Sequence, residues 1–464
     1  MPGIKAFCVH SHFYQPPRED PFTGEVPLEP GAAPYHDWNE RIYAECYLPN
    51  ADAGNFSRIS FDIGPTLFKW MDNHHPGTVQ QIIAQDRENV ERFGVGNAMG
   101  QAFNHSILPL ASRRDKETQI LWGIADFIHR FGRKPRGMWL PEAAVDQETL
   151  EVLVDCGIEY TILAPWQAHR IPSGSSGPFL AHLGEGRKIS VFFYNQDLST
   201  RVSFDPRSTV NADSFVTDLV MPKYHQGPAD GEAPELFMVA SDGELYGHHQ
   251  QFREKFLAYL LNGALRSREV TPMFPELWMK EYPARQGVVV RDHTSWSCHH
   301  GTTRWMGDCA CTSHNAWKAP LRQSLDQLAG EVDRVYEQFL SRWIPDPWAL
   351  RNAYVHVFLG EVSSADLFSE TAGKKLTPDE IWRIGLLLEA QRERQRMFTS
   401  CGWFFEDFNR IEPKNNIAYA ARAAWLVRQA AGVNLAPAAQ VSLRRVRSHR
   451  TGLTAAQVFA ACTA

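Results

Sequence analysis

The chain of 464 residues has no apolar run near the roughly 18 residues that a membrane-spanning helix requires, so no membrane partner is expected. Its first residues, Met-Pro-Gly-Ile-Lys-Ala-Phe-Cys-Val-His, interrupt a short apolar stretch with polar ones, unlike an export signal. An excess of basic residues is also missing. With 47 Lys and Arg against 53 Asp and Glu, the net charge is −6, which argues against a nucleic-acid partner and the basic face it would need. No Gly-x-Gly-x-x-Gly follows the first predicted strand, so the usual dinucleotide fingerprint is absent. No internal repeat and no Ser-His-Asp arrangement is evident. Eight cysteines are scattered at Cys8, Cys46, Cys156, Cys298, Cys309, Cys311, Cys401 and Cys462. Without an export signal they read as reduced thiols, and a cytoplasmic location is the expectation.

What is present is ordinary for a globular protein: 44% apolar and 22% charged residues, in a length that suits two or three domains. The 14 Trp stand out. Buried Trp fills cores, and exposed Trp makes flat platforms for sugar rings. Oligomeric state is not legible.

Buried strands alternate with helices over the first 290 residues. Strands are predicted at 4–9, 95–99, a stretch ending at Glu142, 159–163, 189–194, 236–240 and 288–290. Helices are predicted at 61–72, 79–93, 115–131, 147–156, 212–221 and 250–261 from their apolar periodicity. Asp146 is the predicted N-cap of 147–156 and Gly157 its C′ residue. Residues 18–55 show no period and read as a long ordered loop. This α/β alternation predicts a parallel sheet covered by helices and closed into a barrel. After 291 the pattern becomes helical, at 320–344, 377–398 and 415–431, with Thr377-Pro378-Asp379-Glu380 as a capping box. The expected domains are a catalytic barrel at 1–290, a helical domain contributing to the cleft at 291–432, and a peripheral segment at 433–464.

The predicted strand exits carry the chemistry. They hold His10 and His12, Asn104 and His105, Trp139 and Glu142, Trp166, Gln196 and Asp197, and Asp242 and Glu244. In a barrel these converge on one mouth. Two carboxylates from different strands, flanked by aromatics, are what glycosidic cleavage needs: one protonates the leaving oxygen and the other attacks or stabilises the anomeric carbon. Each has a blander explanation. Glu142 could stabilise a helix N-terminus, and Asp242-Gly243 could be a plain turn. Charges on helix 115–131, Asp115 among them, read as a solvated face.

Four stretches taken in order resemble glycoside hydrolase family 57. They are His10-x-His12 with Gln15-Pro16, Phe103-Asn104-His105, Trp139-Leu140-Pro141-Glu142, and Ser241-Asp242-Gly243-Glu244-x-x-Gly247-His248. The resemblance implies an incomplete (β/α)7 barrel followed by a helical C-terminal domain. It implies a retaining glycoside hydrolase or glucanotransferase acting on α-glucans, with Glu142 as nucleophile and Asp242 as acid/base. His10, His12, Gln15, His105, Trp139, Trp166 and Glu244 would contact the carbohydrate substrate, and Trp296 and Trp403 are candidates for the aromatic contribution of the later region. Here Phe13 and Tyr14 separate His12 from Gln15, where the family usually has His-Gln-Pro. The segments around Trp296 and Trp403 resemble a C-terminal domain of unknown function found in one branch of that family.

Two other readings compete. A metal-dependent polysaccharide deacetylase or mannosidase on a related barrel would use His10, His12 and Asp242 as ligands and Glu142 as base. A non-catalytic carbohydrate-binding protein would bind without turnover. Separately, Cys298, His299, His300, Cys309, Cys311 and His314 crowd one short stretch. Cys309-x-Cys311 is tighter than the usual zinc spacing, and buried free thiols explain the cysteines without any ligand role. The sequence therefore predicts no metal and no cofactor.

Overall fold

The computed structural model describes residues 4–171, 176–224, 234–307 and 309–463. The expected turn at 173–177 lies mostly outside them. The chain separates into two compact units. One comprises Met1–Gln15, Leu28–Gln101 and Arg130–Trp296, and the other Pro16–Pro27, Ala102–His129 and Ser297–Ala464.

The first unit is built on β1 (Lys5–Phe13), β2 (Ser60–Ile63), β3 (Ala98–Gln101), β4 (Met138–Trp139), β5 (Tyr160–Leu163), β6 (Phe179–His182), β7 (Lys188–Phe193) and β8 (Glu235–Asp242). Two-residue strands β9 (Thr271–Pro272) and β10 (Gly287–Val288) pair with β1 and β6. β1 is the hub, nearly all buried, parallel to β2 on one side and β8 on the other. The order β8-β1-β2-β3-β4 is continued by a parallel bridge from Gly137 to Tyr160 and by the parallel pairing of β5 with β7. The Asn195 N–H, just past β7, donates to the Met238 carbonyl of β8 at 2.7 Å. Seven parallel strands thus run round an incomplete (β/α)7 barrel. It is incomplete because β4 is only two residues long and its junction with β5 is a single bridge.

Local expectations differ from what is found at several places. Residues 61–72 were expected to be helical from the start. In fact Ser60–Ile63 is strand, and the helix is Pro65–His74 with Pro65 at its first position. Polar Ser60 and Asp62 alternate with Phe61 and Ile63, which is the period of a strand, and Gly64-Pro65 punctuates the change. β6 was not anticipated, and it runs antiparallel to β7. The loop at 18–55 contains helix from Trp38 to Asp52, opened by the Asp37 side chain, which accepts from Asn39 N and Glu40 N, and widened at Tyr43–Tyr47. The N-cap at Asp146 is as expected, accepting from Thr149 N, and Gly157 has a positive φ of 88°.

The second unit is helical, as expected. Its long members include Lys318–Leu340, Pro378–Arg396 and Ile411–Ala431. Leu321, Leu325, Leu328, Val332 and Val335 form a buried stripe on the first. The capping box at Thr377 and Glu380 is formed in both directions. Asp115 is not a solvated charge: it is buried and takes Arg351 at 3.0 Å and Arg394 at 2.8 Å. Residues read as a peripheral tail carry helices Ala436–Leu443 and Ala455–Thr463, with Leu443 and Phe459 buried. Among the described residues no helix is long and apolar enough to cross a membrane.

Candidate active site

The register of β1 against its neighbours sets the centre of the site. His12 stands opposite Asp62 of β2 and opposite Asp242 of β8. His10 and His12 are two apart on one strand and so share a face. Asp62, which is fully buried, joins them. Its Oδ2 accepts from His12 Nδ1 at 2.8 Å, and its Oδ1 lies 3.2 Å from His10 Nε2. His10 Nδ1 is 2.9 Å from the Ser60 hydroxyl. Both imidazoles stack on Trp139, with centroids 4.8 and 5.1 Å away.

The two histidines titrate in opposite directions. Burial pushes His10 down, so it is the neutral member of the pair. Burial pushes His12 down as well, but the charge and hydrogen bond of Asp62, helped by Asp242 and Glu244, hold it up at about 9. His12 is therefore an imidazolium at neutral pH.

Glu142 lies just past β4. The strand ends at Trp139, three residues earlier than expected, and Pro141–Ala143 forms a tight turn with Glu142 in the left-handed region at φ 58°. A non-glycine residue held there is strained and must be fixed by its surroundings. Trp296 does this twice. Its backbone N–H donates to the Glu142 carbonyl at 3.0 Å, and its indole N–H reaches Glu142 Oε2 at 3.3 Å. Trp296 also sets its edge against Trp139 at 4.9 Å, with Tyr194 on another side at 6.3 Å. Trp166 packs on Tyr194 at 6.0 Å and donates to the Ser295 carbonyl.

Asp242 is the last residue of β8 and is open to solvent. Protein closes round its other sides, and that desolvation raises its pKa, against the pull of His12 and His249 and with the help of Asp62. Gly243 follows because a Cβ there would stand 2.3 Å from the Phe13 ring, so Asp242-Gly243 is a close approach rather than a plain turn. Gly247 has φ 139° beside the Glu45 carbonyl, a place only glycine fits. Glu244 turns inward. Its Oε1 accepts from Tyr14 N at 3.1 Å and from Tyr47 OH at 2.7 Å, and burial lifts its pKa to about 7. Gln15 bonds to Tyr47 through its side chain and takes Thr66 Oγ1 on its carbonyl. Glu244 and Gln15 thus brace the chain after β1.

His105 and Trp403 belong to the second unit. His105, at φ 52°, is buried with Nδ1 2.6 Å from the Ser400 hydroxyl, and its carbonyl accepts from Ser400 N. Trp403 is 1% exposed, so it offers no open platform for a sugar ring. Two other strand-exit candidates have structural partners, while Gln196 is exposed at the start of the helix Gln196–Phe204. Asp197 pairs with Lys223 and Arg201, and the Asn104 amide exchanges hydrogen bonds with Gln119.

Sequence reading missed Asp62 and Gln101. Gln101 ends β3 opposite Trp139, and its buried amide has no hydrogen-bond partner among the described residues, nor has Trp139 Nε1.

Fold and site together define an α/β-barrel protein with an aspartate and a glutamate at separate strand exits among histidines and indoles. Residues 39–291, more than half of the chain, match glycosyl hydrolase family 57, and residues 314–462 match a domain of unknown function, DUF3536. The chain belongs to glycosyl hydrolase family 57. It is 24% identical over 238 residues to alpha-amylase 1 of Dictyoglomus thermophilum, covering 45% of this chain and 34% of that protein. It is 24% identical over 217 residues to an alpha-amylase of Pyrococcus furiosus, covering 45% and 30%. These matches span about a third of the relatives' own length. Among solved structures, an exo-type maltose-forming amylase from Pyrococcus sp. ST04 aligns with TM-score 0.74 at 15% identity, covering 98% of this chain and 88% of that one. A branching enzyme of the same family from Pyrococcus horikoshii aligns with TM-score 0.62 at 17% identity, covering 99% and 94%. At these identities the structural likeness is one of fold.

Proposed function

We propose that the chain is a retaining glycoside hydrolase or glucanotransferase acting on α-linked glucans. The observation that carries this reading is the unequal setting of the two carboxylates. Glu142 is held in a strained turn with an indole N–H on its Oε2. Asp242 sits at a solvent-open strand end with its pKa raised. A pair of acids with divergent environments divides the labour of nucleophile and proton donor. The amylases and the branching enzyme to which the chain is similar support α-glucans as the substrate class.

In this mechanism Asp242 gives its proton to the glycosidic oxygen as Glu142 attacks the anomeric carbon. The C–O bond to the leaving sugar breaks and a glycosyl ester on Glu142 forms. Asp242, now a carboxylate, takes a proton from water or from an acceptor hydroxyl, which displaces Glu142 and restores both residues. The His12 imidazolium helps carry the negative charge that Asp242 acquires in the first step.

Against the metal-dependent alternative, His10, His12 and Asp242 are not among the described residues whose ligand atoms gather within 4.8 Å of one another. The test is turnover of amylose, amylopectin and short maltooligosaccharides, with product length and first-formed anomer read by NMR. The reading expects α-configured first products, and a loss of about 10²–10⁴-fold or more in Glu142→Gln and Asp242→Asn with unchanged circular dichroism. A β-configured first product, or near-full activity in either variant, would refute it.

A further inference from the structure

Between the two matched regions, 39–291 and 314–462, lies a stretch that neither covers, and it holds a cluster the catalytic reading does not use. Cys298, His300, Cys309 and Cys311 bring one ligand atom each to within 4.8 Å of one another. Cys298 Sγ is 3.3 Å from Cys309 Sγ and 3.5 Å from Cys311 Sγ. His300 Nδ1 is 3.3 Å from Cys311 Sγ, 3.5 Å from Cys309 Sγ and 3.9 Å from Cys298 Sγ. We propose that these four side chains form a structural zinc site.

The geometry is that of a tetrahedron around an ion. With Zn–S near 2.3 Å and Zn–N near 2.0–2.1 Å, ideal edges are about 3.8 Å between sulfurs and about 3.6 Å between sulfur and nitrogen. The sulfur–nitrogen edges, 3.3 to 3.9 Å, bracket that length, and the two sulfur–sulfur edges, 3.3 and 3.5 Å, fall within about 0.5 Å of theirs. A disulfide would join two of the sulfurs near 2.0 Å and leave the third thiol and the imidazole without purpose. The grouping also differs from what the sequence suggested. Cys311 is exposed, so the three thiols are not simply a buried reduced set. His314, an equally plausible ligand by spacing, instead stacks on His449 with centroids 4.2 Å apart.

Two further features fit an ion. Zn2+ displaces three thiol protons to solvent on binding, and the resulting centre of three thiolates and a neutral imidazole carries one net negative charge. Buried Lys318 and Arg304 interact electrostatically with these thiols and are placed to balance it. Around the cluster, residues 297–317 contain no regular element beyond the single turn Thr303–Trp305 among the described residues. Side-chain bonds hold the loop locally. The Asn315 amide donates to the carbonyls of Cys309 and Thr312, and the Thr303 hydroxyl to that of His300. An irregular loop with so little core of its own is the kind that a closed metal site braces.

The test is elemental analysis of full-length protein purified without a metal-affinity tag, followed by titration of the reduced, metal-stripped protein with cobalt(II). One zinc per chain is expected. One equivalent of cobalt should give the visible bands of a tetrahedral thiolate site, which zinc then abolishes. Both signals should vanish in Cys309→Ser and in the exposed-site variants Cys311→Ser and His300→Ala, and persist in Cys401→Ser. Absence of zinc together with absence of a cobalt band overturns the proposal. So does zinc retained by all three ligand variants, or a disulfide among these thiols in freshly isolated protein. Each readout is independent of activity.

Discussion

At the scale of single residues, Asp62 organises the site, because it holds a charged and a neutral histidine on one buried face. Asp62→Asn should cost about 3–5 kcal/mol, since it leaves the His12 charge buried without its partner. The sign of the pH dependence follows from His12. Its folded pKa of about 9 exceeds the ordinary value of 6.5, so the stabilisation is fully present below about pH 6.5 and fades as pH rises through 9. In urea melts from pH 7.5 to 9.5, above the window in which Glu244 titrates, wild type should lose stability and Asp62→Asn should not; parallel curves would deny the pairing. Glu244 acts in a lower window. Its pKa is raised from 4.5 to about 7, so the folded state prefers the protonated form and loses stability as pH climbs from 4.5 to 7. Glu244→Gln keeps acceptors for Tyr14 N and Tyr47 OH and should flatten that fall. If the variant declines as steeply as wild type between pH 4.5 and 7, Glu244 is not the titrating group.

At the scale of elements, strand and helix identity was mostly legible, because buried parallel strands are short apolar runs and surface helices carry a 3.6-residue period. His10 and His12 could be read because alternation on a strand puts both on one face. Glu142 could be found from the extended Leu140-Pro141, but its left-handed backbone could not, since non-glycine residues enter that region only under tertiary constraint. Asp62 was hidden by assigning β2 to the following helix. Gln101 was passed over because an amide at a strand end has no chemical signature until its lack of partners is seen. Asp115 was misread for a related reason: a charged residue on an amphipathic helix looks solvated until Arg351 and Arg394 are folded against it. Removing it, as in Asp115→Asn, leaves Arg351 buried without its carboxylate and should cost about 3–5 kcal/mol by chemical denaturation. The arginines hold Asp115 well below the usual carboxylate range. Its contribution is therefore present above about pH 4 and lost as pH falls, and the deficit of the variant should shrink toward pH 2. A deficit below about 1 kcal/mol at pH 7 would mean that the arginines find other partners.

At the scale of the whole molecule, the alternation of strands and helices announces the barrel, and the four ordered motifs announce the family. The motif residues are spread across four strand exits and the loops beyond them, a distribution that packing alone does not require. The central claim is that Glu142 becomes covalently glycosylated during turnover. It is tested most directly by incubating the protein with a fluorinated α-glucosyl fluoride, whose glycosyl-enzyme intermediate turns over slowly, and mapping the label by mass spectrometry of peptides. The account predicts one glycosyl adduct per chain, on the peptide containing Glu142, and none in Glu142→Gln. A label on any other residue, or no label while wild type turns over α-glucans with inverted first products, would contradict it.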